Sequence, residues 1–256
     1  MFSLTKEIMV DYRLHLVETY AKVTASRMLV TLNRFLEEAV SDGVLHTNPA
    51  AGVKGIKPGN QETTHRALTG EEAKLMLRLV DTTTRKGKRD YAILLTLIKT
   101  GLRRAELAAL TFGDLKQEQG HWILVIQHGK GDKRRIAKLS ADCYRAIQSY
   151  IEATERAGLP ADSPLFASFQ AGDKPVEEPL GVKGLEYLVK GYGKKLGGSK
   201  LTPHGLRATF VTLALEGGAK LHQVQYSAGH ADPRTTERYQ KRKLNLDDAA
   251  TDYIKL

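Results

Sequence analysis

Apolar residues recur at helical spacing through most of the chain. In residues 4–19, Met9, Tyr12, Leu16 and Val17 share one face, and Ser3 or Thr5 can cap the start. A longer helix is expected over 24–41, with Met28, Leu32, Phe35, Leu36 and Val40 as its stripe. Gly43 ends it and Asn48-Pro49 marks a turn. The stretch 54–67, KGIKPGNQETTHRA, is polar with glycine and proline and reads as a linker, which places a domain boundary between 1–58 and 59–256. Beyond it, Thr69-Gly-Glu-Glu72 is a capping box ahead of Leu75, Met76, Leu79 and Val80. The stretch 89–100, with Tyr91, Ile93, Leu94, Leu97 and Ile98, is apolar on nearly every side and belongs at the centre of a core.

The period then changes. HWILVIQ and RRIAKLS, within 121–140, are short β-type runs around a GKGD turn, which predicts a hairpin. Helices are expected again over 141–157 and 182–196, with a loop near Gly172 between them. Thr202 and Pro203 form a helix start, Gly217-Gly218 a stop. A short helix over 220–228 ends at Gly229, Asp232-Pro233 opens another, and 247–256 is an amphipathic tail. The fold class is mainly α with a small antiparallel sheet, in two domains.

Composition narrows the partners. The 256 residues carry 39 basic and 29 acidic side chains, a net charge of +10. That balance suits a polyanion, nucleic acid ahead of membrane. One cysteine, Cys143, excludes an internal disulfide framework and points to a reducing cytoplasm. No apolar run reaches transmembrane length, and charges interrupt the start, MFSLTKEIMVDYR, before a signal-peptide core forms. No zinc-type spacing occurs.

The candidate chemistry gathers in 201–242. His204 and Arg207, three apart at a helix start, share a face. Imidazole and guanidinium are donors suited to phosphate oxygens. His230 follows Gly229, and Tyr239 lies about a turn into the next helix. A phenol is a nucleophile only when its proton is taken and the developing charge is met. Each residue alone has a plainer reading as a cap, an ion-pair partner or packing. The plainer reading weakens because TGLRRAEL at 100–107 and HGKGDKRR at 128–135 supply further cations.

These motifs, with HGLR at 204–207, AGH at 228–230 and Tyr239, follow the order found in the tyrosine recombinases, the phage integrases, Xer proteins and Cre, and the chain resembles that family from about residue 4 to its end. The resemblance implies a C-shaped, two-domain clamp on duplex DNA and site-specific recombination through a 3′-phosphotyrosine, with neither cofactor nor metal. It makes Tyr239 the nucleophile, Arg103, His204, Arg207 and His230 the donors to the non-bridging oxygens, and Lys130 the acid for the leaving 5′ oxygen. Glu106 supports a basic neighbour. Lys133, Arg134 and Arg135, and Lys22, Arg27 and Arg34 off the apolar stripe of the helix over 24–41, are expected DNA contacts, although such charges also serve as solvated faces. The amino-terminal domain resembles a core-binding domain without its first helix or an arm-type domain ahead of it. Expected partners are double-stranded recombination sites, three further copies in a homo-tetramer with the tail packed on a neighbour, and accessory DNA-bending proteins; the setting is cytoplasmic, on the nucleoid. Ala228 departs from the leucine the family usually has there. Two rivals are a topoisomerase or resolvase using the same site and a protein that only occupies DNA. The complete nucleophile-and-cation set argues against the second.

Overall fold

A computed structural model describes residues 4–57, 66–127, 134–198, 200–229 and 236. The chain divides into two compact units, Met1–Thr64 and His65–Leu256.

The first unit pairs helix α1 (Lys6–Thr19) with α2 (Lys22–Ser41). Thr5 is the cap of α1, its hydroxyl accepting from the Ile8 N–H. Met9, Leu16, Ala25, Leu29, Leu36 and Ala50 form the core. The apolar stripe expected on α2 is only partly used: Phe35 is 67% exposed. Successive helical residues are about 100° apart, so Phe35 cannot share the narrow Ala25–Leu29–Leu36 face that a single partner helix covers. Arg27 and Arg34, seven residues apart and both exposed, lie on the side of α2 opposite that core, whereas exposed Lys22 falls on another side.

In the second unit, α3 (Gly70–Arg78) starts from the expected capping box: the Thr69 hydroxyl accepts from Glu72 N–H at 3.2 Å, and Glu72 accepts from Thr69 N–H at 2.9 Å. Helix α4 (Arg85–Thr100) begins earlier than its apolar run. Thr84 caps it from within, and Asp173, distant in sequence, accepts from the N–H groups of Arg85 and Lys86, each at 2.7 Å. That second cap is tertiary, so the charged first turn shows no pattern of its own. Ala92, Ile93, Leu94 and Leu97 of α4 are wholly buried and anchor the core. After α5 (Arg104–Ala108), strands β1 (Leu115–Glu118), β2 (His121–Ile126) and β3 (Arg135–Lys138) form one antiparallel sheet in that order, with Ile126 opposite Arg135. The expected hairpin is β2–β3. Strand β1, LKQE, is a polar edge strand with no apolar alternation to betray it.

Helix α6 (Ala141–Ala153) packs on α4. It carries Cys143, which is fully buried; burial pushes its thiol pKa up to about 11, which suits a core position. The stretch read as a loop near Gly172 is instead an antiparallel pair, β4 (Ala167–Gln170) and β5 (Lys174–Pro179), with Asp173 in its turn. Helices α7 (Val182–Lys195), α8 (Pro203–Glu216) and α9 (Leu221–Ala228) complete the described unit, and α8 packs on α4. Among the described residues no helix is long and apolar enough to cross a membrane.

Candidate active site

Two chain segments far apart in sequence meet at one cavity, and a third, the end of α9, is tied to it through Arg103. The first is the end of α4. Gly101 takes a left-handed conformation (φ 61°), and a Cβ there would stand 2.4 Å from the Phe210 ring of α8. Glycine is therefore required twice over, for its backbone angle and for the close approach of α8. The tight turn delivers Arg103 as the N-cap of α5.

Arg103 is held by Glu106. The Glu106 carboxylate accepts from the Arg103 N–H at 2.8 Å and from Nη1 at 2.6 Å. Arg103 Nη2 donates to the Gly229 carbonyl at 2.7 Å, which ties α5 to the end of α9. These bonds take two of the five guanidinium donors, and the side chain stays 28% exposed toward the cavity. Burial opposes ionisation of Glu106, yet the Arg103 N–H and the charges of Arg135 and Arg103 outweigh it and hold the carboxyl below its ordinary value.

The second segment is the start of α8. Thr202 caps it by accepting from Gly205 N–H at 3.1 Å, with Pro203 in the first turn, as the sequence indicates. His204 is exposed and Arg207 is buried. Arg207 Nη1 donates to the Gly101 carbonyl at 2.7 Å. Between them, Gly205 faces the Arg66 backbone: a Cβ there would lie 2.8 Å from the Arg66 carbonyl oxygen. Thr209, one turn further, donates to Gly205 O at 2.9 Å and accepts from Leu68 N–H at 2.8 Å. The stretch before α3 is thus laced to the first turns of α8.

The cavity, about 480 Å³, is lined by Arg103, His204 and Arg207. It is also lined by Arg104 and Glu186, which form an ion pair, and by Lys190 of α7. Nothing in the sequence pattern singled out Arg104, which follows Arg103 on α5, or Glu186 and Lys190, because α7 joins the site only through packing. The third segment is α9, which ends at Gly229 in the left-handed conformation, immediately before His230 in the chain. Ala228 is fully buried against Val211 and Val224.

Lys130, Lys133, His230 and Tyr239 lie outside the described residues. Arg134 is exposed. Arg135, expected beside it as a DNA contact, is turned inward: its side chain is only 10% exposed and pairs with Glu106 at 2.7 Å. Arg134 precedes β3, whereas Arg135, the first residue of β3, shares a strand face with buried Ala137 two residues on. Lys22, Arg27 and Arg34 belong to the first unit and are exposed there. Among the described residues no group of three or more His, Cys, Asp or Glu side chains could hold a metal ion.

Two arginines and a histidine line one cavity, and such donors suit an anion. The phage integrase family model matches residues 66–245. The chain belongs to the phage integrase family. It is similar to the tyrosine recombinase XerD of Listeria innocua serovar 6a, 33% identical over 227 residues that cover 88% of this chain and 74% of that protein. Tyrosine recombinase XerC of Pelobacter propionicus is 32% identical over 219 residues, 85% of this chain and 68% of that protein. Among solved structures, the XerH recombinase bound to difH substrate in a pre-cleavage complex is 26% identical with a TM-score of 0.57, over 68% of this chain and 49% of that one. A lambda integrase (75–356) dimer bound to a COC′ core site shares the fold, with a TM-score of 0.70 at 16% identity over 96% of this chain and 83% of that one. As a tyrosine recombinase, the protein catalyses DNA strand cleavage and rejoining in site-specific recombination.

Proposed function

We propose that duplex DNA bearing recombination sites is the partner, that the scissile phosphate sits in the cavity of Arg103, His204 and Arg207, and that Tyr239 attacks it. The observation that carries this reading is the convergence of Arg103 and Arg207 through the Gly101 turn. Guanidiniums fixed by Glu106 and by backbone carbonyls need no reorganisation as charge grows on the non-bridging oxygens. His204 and His230 add donors, and His204 is the group assigned to take the phenol proton. The Tyr239 oxygen bonds to phosphorus as the bond to the 5′ oxygen breaks, and Lys130 gives that oxygen its proton. The 3′-phosphotyrosine conserves one phosphodiester, so an incoming 5′-hydroxyl reverses the sequence and rejoins the strand without ATP.

The amino-terminal domain, residues 1–58, binds DNA with Lys22, Arg27 and Arg34 as its phosphate contacts, and residues 59–256 are the catalytic domain. Four copies act on paired sites, the carboxy-terminal tail packing on a neighbour, with accessory DNA-bending proteins where site geometry requires them. The work is cytoplasmic, in keeping with a single cysteine. The test is a nicked DNA substrate that traps the covalent complex. Wild-type protein should accumulate adduct and Tyr239→Phe should bind DNA without forming any. Adduct persisting in Tyr239→Phe would move the nucleophile, with Tyr226 the first alternative.

A further inference from the structure

Glu106 has two oxygens and serves two arginines from different elements. Oε1 accepts from Arg103 Nη1, while Oε2 accepts from the Arg103 N–H and from Arg135 Nη2 at 2.7 Å. The carboxylate side chain is 3% exposed. Arg135, on the first residue of β3, also donates from Nη1 to the Ser227 carbonyl of α9 at 2.8 Å. One guanidinium therefore joins three pieces: the strand that follows the basic hairpin turn, the acidic holder of Arg103, and the last turn of α9.

The fit around it is close. A Cβ on Gly229 would stand 2.8 Å from Arg135 Nε and 3.0 Å from Cδ. Gly229 thus clears the floor on which Arg135 lies, in addition to permitting its own φ of 64°. Arg135 Nε is buried and has no hydrogen-bond partner among the described residues. Leaving that donor unpaired has a cost, and the two bonds from Nη1 and Nη2 offset it. Gly229 in turn receives Arg103 Nη2 on its carbonyl, so Arg103 and Arg135 grip adjacent parts of the same turn.

We propose that Arg135 is a positioning residue of the strand-cleavage site: through Glu106 it sets the Arg103 guanidinium, and through Ser227 it sets the end of α9 from which the chain passes to His230. It does not bind DNA phosphate. This rests on the reading of the Arg103–Arg207 cavity as the scissile-phosphate site. The role needs a planar fork with two separated donors. Lysine offers a single point charge, which can meet Glu106 but cannot bridge to the Ser227 carbonyl as well.

The test uses the full chain and a nicked duplex carrying the recombination site. Wild type must first form the covalent adduct; if it does not, the phosphate-site reading fails and the Arg135 assignment is not what was measured. Given wild-type adduct, Arg135→Lys should slow single-turnover cleavage at saturating DNA by roughly 10–100-fold, the size expected from a displaced catalytic cation. Its DNA affinity and salt dependence should stay at wild-type values. Arg135→Met, of similar length without charge, should be slower still. Combined with Glu106→Gln, it should add little further loss, because the pair acts as a unit. If Arg135→Met fails to fold, Arg135→Lys carries the decision alone. Wild-type cleavage by Arg135→Lys at saturating DNA would overturn the proposal. So would a salt slope shallower by about 0.9, which marks a lost phosphate contact.

Discussion

Arg207 donates to the carbonyl of Gly101 at 2.7 Å, two residues before Arg103. The two site arginines, 104 positions apart in the sequence, are therefore set by one turn of backbone. Gly101 caps the end of α4, whose last carbonyls make that end negative, so a guanidinium is favoured there.

Replacing Gly101 by alanine should break this arrangement. The left-handed backbone costs about 1 kcal/mol for a residue with a Cβ. The contact at 2.4 Å with Phe210 adds about 1–3 kcal/mol of overpacking. Urea unfolding should show a loss of about 2–4 kcal/mol, with cleavage lost well before DNA binding. Wild-type stability in Gly101→Ala would show that α8 can shift away freely.

Gly205 offers a subtler perturbation. Its Cβ would meet the Arg66 carbonyl, a backbone atom, at 2.8 Å. Gly205→Ala keeps every charged group yet should move the first turn of α8, lowering cleavage by on the order of 10²-fold while affinity for DNA changes little. An unchanged cleavage rate would mean that residues 66–68 yield instead.

Glu106 gives a pH signature. Its folded pKa is held below the ordinary 4.5, so its contribution to stability is whole above about pH 4.5 and is lost as the pH falls through the lowered value. Glu106→Gln should cost about 3–5 kcal/mol near neutrality, by leaving Arg135 without its counter-charge. The gap from wild type should shrink as denaturation is repeated below about pH 4. A gap that is constant with pH would exclude ionised Glu106 as its source.

Lys130, assigned as general acid, can be separated from the arginines by leaving-group chemistry. Lys130→Ala should slow cleavage by roughly 10²–10⁴-fold. With sulfur in place of the bridging 5′ oxygen, the leaving thiolate needs no proton, and most of the rate should return. Arg103→Ala and Arg207→Ala should gain no such rescue if, as proposed, they act on the non-bridging oxygens. Without rescue of Lys130→Ala, the acid is another group and Lys133 is tested next.

Arg27 and Arg34 share the outward face of α2. If both meet phosphates, removing them together should flatten the log–log salt dependence of DNA binding by about 0.9 for each. An unchanged slope would make that face a solvated one.

Local signals carried much of this protein. Helix starts at Thr69 and Thr202, the stop at Gly229, the apolar run of α4 and the β2–β3 hairpin are set by neighbours within a few residues, where capping and periodicity operate. The residue types at 103, 204 and 207 were legible for the same reason, since motif spacing along one turn is a local property. What the tertiary structure decided is where each cation points and what it holds. Arg134 and Arg135 are the same residue type in adjacent positions, yet the first is exposed and the second is nine-tenths buried on Glu106. Asp173 caps a helix from far along the chain, and Gly205 is glycine because Arg66 passes over it. No periodicity records such pairings, because they arise only when packed elements bring a donor to an acceptor that the sequence holds far away.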